Sequence, residues 1–183
     1  GQIMSMRREN LPPGLIEELQ KLQDQVAPHP FEEILPVIQQ YCPEIEECFK
    51  SIDEEPIAAA SLSQVHRAVL HDGHVVALKV QRPGIGDLIE TDILILHSLA
   101  RRVESLFPDL RVYNLRGMVD EFSDQIRREL DFVQDGMNAD RFRRNMRTIP
   151  GVKIPRIHWE ISGAHLLAMD YIEGVRIDDI AAI

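Results

Sequence analysis

The sequence predicts an α+β fold, a small antiparallel sheet packed against several helices, on three observations. Apolar residues recur at helical spacing through residues 13–27 and 31–41. Two β-branched runs, Ser63–Leu70 and Val75–Val80, flank an Asp72–Gly73 turn signal. Two further amphipathic stretches then run from Gly86 to Leu106 and from about Leu115 to Met146.

In the first block Leu15, Ile16, Leu19, Leu22 and Val26 share one helical face, with Pro13 in the tolerated first turn. Pro28 and Pro30 end that helix, because proline has no amide donor. Phe31, Ile34, Leu35 and Ile38 mark a second helix to Tyr41, and Pro43 to Phe49 a short third one. From Phe49 to Val80 the pattern changes to strand, loop, strand, hairpin, strand, and Asp72–Gly73 is expected to supply the positive φ angles of a two-residue turn. Arg82–Pro83–Gly84 breaks the strand. Leu88, Ile89, Ile93, Leu96, Leu99, Ala100 and Val103 form the apolar face of the next helix. The helix from Leu115 to Met146 has one expected interruption, near Gly136. Strands are expected at about Val152–His158 and His165–Tyr171.

With 183 residues, 44% of them hydrophobic and 27% charged, the chain has the composition of a globular domain with room for a core. Its net charge of −10 argues against a nucleic-acid partner, which needs clustered cations to displace counterions. Arg141–Phe142–Arg143–Arg144 reads as a solvated helix face. Cys42 and Cys48 lack a partner at metal-ligand spacing, so they read as reduced thiols in a cytoplasmic setting, and no metal ligand set is expected. No apolar run reaches the length of a membrane span.

Lys79 closes the run Val75–Val76–Ala77–Leu78–Lys79–Val80, the position where a kinase lobe carries its phosphate-binding lysine. Taken alone it also reads as an edge-strand lysine that discourages aggregation. Three segments decide between these readings: Pro56-Ile-Ala-Ala-Ala-Ser-Leu-Ser-Gln-Val65, the run from Val76 to Gly84, and Glu129–Leu130–Asp131–Phe132 with Asn138 downstream. Together they resemble the UbiB (AarF-type) family of atypical kinase-like ATPases. Gly1–Gln2 is similar to the end of that family's Lys-x-Gly-Gln signature, and Tyr171–Ile172–Glu173–Gly174 to its hinge.

The resemblance implies a protein-kinase-like N-lobe with extra helices and no C-lobe. Residues 1–55 would be a helical family extension, 56–175 the lobe with its inserted helix 86–106 and acidic-motif helix 115–146, and 176–183 the start of a connection to the second lobe. It implies ATP and Mg²⁺ as cofactors, the metal ligands lying mainly in that second lobe, so that this piece alone would be inactive. Lys79, Glu129, Asp131 and Asp135 would be the catalytic set. Ala58, Ala59, Ala60, Ser61, Gln64, Val65, Ala77, Met169, Asp170, Ile172 and Gln2 would surround the nucleotide. Ala60 would face the phosphates, Val65 and Ala77 would roof the adenine, Met169 would be the gatekeeper, and Asp170 and Ile172 would offer backbone groups. The complete protein would support isoprenoid-quinone biosynthesis at a membrane surface, with an isoprenoid lipid or quinone-biosynthesis proteins as partners. A non-catalytic pseudokinase and a lipid- or protein-binding module formed by the helices remain as alternatives.

Two departures carry physical consequences. Cβ atoms at Ala58 to Ala60 disfavour the positive φ angles with which a glycine loop wraps phosphate. Asp135 stands where the family places a glutamate to pair with the lysine, one methylene short, so the expected Lys79–Asp135 pair is long, water-bridged or lost. In a continuous helix Asp131, Asp135 and Asn138 would share a face and Glu129 would point elsewhere.

Overall fold

The computed structural model describes residues 26–174. Gln2, the helix expected over 13–27 up to Gln25, and residues 175–183 lie outside the described residues.

Helix α1 (Phe31–Gln39) follows Pro30 and buries Ile34 and Ile38. The turn after it leads into the single-turn α2 (Ile45–Cys48) and folds the chain back on itself. That reversal corrects the reading of two free thiols. Cys42 and Cys48 form a disulfide across a Cα separation of 6.4 Å, which a six-residue spacing permits once the chain doubles back.

The sheet contains β1 (Phe49–Ile52), β2 (Ala58–Ala59), β3 (Ser63–Leu70), β4 (Val75–Gln81) and β5 (Leu166–Asp170). All pairings are antiparallel, in the order β1-β3-β4-β5, with β2 also on β3. Strand β4 is therefore interior, and Lys79 is no edge-strand lysine. Because β1 pairs with β3, the boundary expected at residue 55 falls within one sheet. The β3–β4 turn also differs from expectation. Only Gly73 has positive φ, at 88°, and the Gly73 N–H donates to Leu70 O, while the Leu70 N–H donates to His74 O. Such a longer loop needs one left-handed residue, not two.

Strand parity divides the chemistry, since partners on antiparallel strands share a face. Gln64, His66 and Ala68 lie opposite Val80, Leu78 and Val76, and these face α1. They pack with Ile34, Ile38, Phe49, Leu166 and Ala168 as the main core. Val65 lies opposite Lys79, Ala77 opposite Met169, and Lys79 opposite Leu167, which puts all five on the other face.

After Gly84 (φ 70°), α3 (Ile85–Leu106) and α4 (Leu115–Leu130) form a helical hairpin through a 3₁₀ turn at Pro108–Tyr113. Asn114, the one non-glycine residue of positive φ among those described, caps α4 by accepting the Gly117 N–H. Of the apolar face expected on α3, Ile93 and Ala100 are buried, whereas Leu88 and Leu99 stay open. The long acidic-motif helix is broken, and not near Gly136. Asp131 is extended (φ −95°, ψ 98°), and α5 (Phe132–Met146) starts afresh beyond it. Backbone groups freed by the break find partners: Phe132 N–H donates to Ala164 O, Leu130 O accepts from the Gln81 amide, and Asp131 Oδ1 accepts the Val133 N–H at 3.0 Å. A full strand over 152–158 does not form. Its remnant is one bridge, Ile157 to Met169, just after Pro155, which cannot donate to a ladder.

Candidate functional site

Helix α5 lies on the Lys79 face of the sheet. Phe132 in its first turn is wholly buried, packed with Leu167, Ile157, Ala139 and Met169 as a second, smaller core. Asp135 follows three residues later, which brings it onto the same side. Lys79 Nζ donates to Asp135 Oδ2 at 2.6 Å and sits 4.1 Å from the centroid of the Phe132 ring. Its side chain is 26% exposed and that of Asp135 is 47% exposed. The ammonium is thus fixed from two sides, by a carboxylate and by an aromatic face. The expectation of a long or water-bridged pair is corrected: α5 lies close enough to the sheet for an aspartate to span the gap directly.

The remaining acids do other work. Asp131 caps α5 with its carboxylate, and Glu129, at the exposed end of α4, accepts from Gln125 at 3.4 Å. Neither joins the Lys79 pair, and the break at Asp131 removes the common face expected for Asp131, Asp135 and Asn138.

The residues assigned to the nucleotide separate by parity. Ala58 pairs with Val65 and so shares the face of Lys79, Ala77 and Met169. Ala59 pairs with Gln64 and belongs to the opposite face. Gln64 is the clear correction. It is fully buried, accepts the His29 N–H at 2.9 Å, and turns its amide nitrogen to His29 O and to His66 Nε2. Facing α1, it cannot contact a ligand held on the Lys79 face. Ala60 and Ser61 form the β2–β3 turn, in which Ala60 N–H donates to Ser63 O and Ala60 O accepts from Arg82 Nε at 2.8 Å. The Asp170 N–H donates to Arg156 O, and Ile172 is exposed just past β5.

Asp170 also carries electrostatics that sequence reasoning missed. Burial raises its pKa, but hydrogen bonds from His158 Nε2 (2.9 Å) and the Arg156 N–H (3.0 Å) outweigh that and hold the carboxyl below the usual range. Phe132, Gly136 and Trp159 are the other residues missed. Phe132 ends the Glu129-to-Phe132 motif, yet only the break at Asp131 turns it toward Lys79. Among the described residues no His, Cys, Asp and Glu group could hold a metal ion, and no helix is long and apolar enough to cross a membrane.

An interior strand lysine paired with an acid from a helix across its face, next to Ala77, Val65 and Met169, is the arrangement of a kinase N-lobe. The ABC1 atypical kinase-like domain matches residues 21–183. The chain belongs to this family. It is 38% identical to the mouse protein called AarF domain-containing protein kinase 1, over 93% of this chain and 32% of that protein. It is 36% identical to a probable protein kinase UbiB from Azotobacter vinelandii, over the whole chain and 34% of that protein. A solved structure, the complex of Rv3197 with erythromycin from Mycobacterium tuberculosis, superposes with a TM-score of 0.72 at 26% identity, over 98% of this chain and 45% of that one. The chain therefore spans about a third of the length of these ABC1-family relatives.

Proposed function

We propose that this chain is the nucleotide-binding lobe of an ABC1-family ATPase. The observation that carries the reading is the direct Lys79–Asp135 pair beside a face lined by Val65, Ala77 and Met169. Lys79 holds the phosphates of MgATP, and Asp135 keeps the ammonium aimed at them. Phe132 lowers the local polarity around that charge. Val65 and Ala77 cover the adenine, with Met169 behind it, and backbone groups of Asp170 and Ile172 reach its edge. Ala58 and the Ala60–Ser61 turn approach the phosphates without a glycine cradle. Glu129 stands at the exposed end of α4, and Asp131 caps α5 beside the site. The nucleotide supplies the transferable phosphoryl group, while the catalytic base and the Mg²⁺ ligands come from the rest of the protein. The likeness to UbiB points to a role in isoprenoid-quinone biosynthesis.

The test uses the full-length protein. MgATP should bind and be hydrolysed by the wild type, and Lys79→Ala should weaken nucleotide affinity by about tenfold or more. Equal affinity in the two proteins would remove Lys79 from the site. Hydrolysis by residues 1–183 alone would place the base and metal ligands in this lobe.

A second role, peripheral docking on a membrane through the α3–α4 hairpin, is favoured by a groove of about 370 Å³ lined almost wholly by apolar side chains, Leu96, Leu99, Val103, Met118 and Phe122 among them. At the hairpin's tip Leu106, Phe107, Val112 and Tyr113 are exposed, with Arg101, Arg102, Arg111 and Arg116 nearby. In a chain of net charge −10, that combination fits an anionic lipid surface. Binding of the full-length protein to phosphatidylcholine vesicles only when phosphatidylglycerol is included, lost in Val112→Asp, is the expected result. Binding that ignores lipid charge would refute it.

A further inference from the structure

We infer that Gly136 is a positioning residue: its missing side chain sets the distance between α5 and the sheet at which an aspartate, and not a glutamate, reaches Lys79. This rests on the nucleotide reading only where ligand affinity is used as a readout.

Glycine is a poor choice inside a helix, and Gly136 is buried in the second turn of α5. A Cβ at this position would stand 2.6 Å from Trp159 Cη2, 3.0 Å from Trp159 Cζ2 and 3.0 Å from Leu167 Cδ1. Carbon atoms in contact prefer about 3.5–4.0 Å, so something must move. Leu167 is held within the sheet, and Trp159, although 38% exposed, is restrained by a hydrogen bond. The indole Nε1 donates to Asp140 Oδ2 at 2.8 Å, and Asp140 lies one turn further along α5, so the ring is tied to the helix it would have to leave. Leu167 is buried on β5, directly across from Lys79. The remaining response is for α5 to lift from the sheet by about 0.5–1 Å, the shortfall in those contacts.

Asp135 is the adjacent residue and would move with the helix. Its pair with Lys79 is short, 2.6 Å; the aspartate has only two torsions with which to follow, and the ammonium it must keep is seated against the Phe132 ring. A glutamate adds one methylene, about 1.5 Å of bond length, which is enough to span the lift. Acid length and the residue at 136 are therefore coupled. Aspartate suits glycine at the present spacing, and glutamate suits alanine at the wider one.

The experiment compares full-length wild type, Gly136→Ala, Asp135→Glu and the double variant Gly136→Ala/Asp135→Glu. Three readouts are taken: the Lys79–carboxylate distance in crystal structures, affinity for MgADP by calorimetry, and the thermal midpoint. Gly136→Ala should lengthen the pair from 2.6 Å to about 3.1–3.6 Å, at the limit of a hydrogen bond, and weaken MgADP by up to about tenfold. Asp135→Glu alone should weaken it by a few fold, with the longer acid turned aside. The double variant should restore both the contact and the affinity to within a few fold of wild type, while its thermal midpoint stays near that of Gly136→Ala. A purely structural glycine would move the midpoint and leave affinity changes additive, and that outcome overturns the proposal. So does an unmoved α5 with the pair intact in Gly136→Ala. Should that variant fail to fold, Asp135→Glu decides: an unshifted pair with wild-type affinity sinks the coupling. Should wild type not bind MgADP, the nucleotide reading fails, and the crystallographic distances still test this one.

Discussion

The seam between α5 and the sheet and the α3–α4 hairpin are made of opposite material. In the seam a charged pair, a buried aromatic ring and a glycine meet a central strand, and each side chain has its position fixed by neighbours on two elements. In the hairpin two amphipathic helices meet mainly each other. Among their polar cross-links is an exposed bidentate pair, with Arg127 donating to both oxygens of Glu90 at 2.7 and 2.8 Å, and Leu94, Leu99 and Met118 remain open. A sheet supplies a rigid reference against which a single methylene matters. A helical hairpin supplies area, and single contacts there weigh little.

The largest effect of this difference is expected at Phe132. Truncation to alanine empties the second core and removes the ring under Lys79, so chemical denaturation should show a loss of about 3–5 kcal/mol. A loss under about 1 kcal/mol would mean that the seam is as soft as the hairpin. Lys79→Ala should fall far below that in stability, at most about 1 kcal/mol, because both partners are partly exposed to screening solvent. Its large effect belongs to ligand affinity. A stability loss as large as that of Phe132→Ala would show the pair to be structural first.

On the opposite face of the sheet, His66 offers a pH test. Burial is the main cause that lowers its pKa, only partly offset by the hydrogen bond to Asp53 O and the charge of Asp53. The folded state therefore holds the imidazole neutral while the unfolded chain binds a proton near its ordinary value of about 6.5. Stability from this site is complete above that value and declines as pH falls through it. Unfolding measured from about pH 7.5 to about pH 5.5 should show that decline, and His66→Gln should flatten it. An unchanged slope would assign the decline to other groups.

Much of the fold could be read from the chain because its signals are local. Alternating β-branched residues and Asp72–Gly73 marked β3 and β4, and prolines bounded α1. What stayed illegible depends on distant partners. The break at Asp131 is held by Ala164 O and the Gln81 amide, neither of which the local helical pattern of Glu129 to Asp135 reveals. Gln64 is expected beside the nucleotide, but strand register turns it inward by one step of parity. That Lys79 and Asp135 could pair is legible in the sequence, but the distance between them is not. Reach depends on how closely α5 approaches the sheet, and the glycine that allows that approach registers in a sequence only as a poor helix former.

The smallest effect is expected at Glu90, where the contrast between seam and hairpin can be sharpened most finely. Glu90 and Arg127 hold α3 to α4 through two short bonds, and Arg127 keeps the Glu90 carboxyl below its usual range, against a small opposing effect of burial. The sign follows: this contribution is present above the ordinary carboxylate pKa and disappears as pH falls through the lowered one. Both groups stand in solvent, where ions weaken such pairs, and at about 1 M salt the screening length is about 3 Å. Glu90→Gln should therefore lower the thermal midpoint less than Phe132→Ala, Lys79→Ala or His66→Gln, and the difference from wild type should vanish in high salt. Nucleotide affinity should not change. A salt-resistant loss, or one that reached the nucleotide, would mean that the hairpin is mechanically coupled to the Lys79 face through the short connection at Asp131, and the two regions would then have to be treated as one.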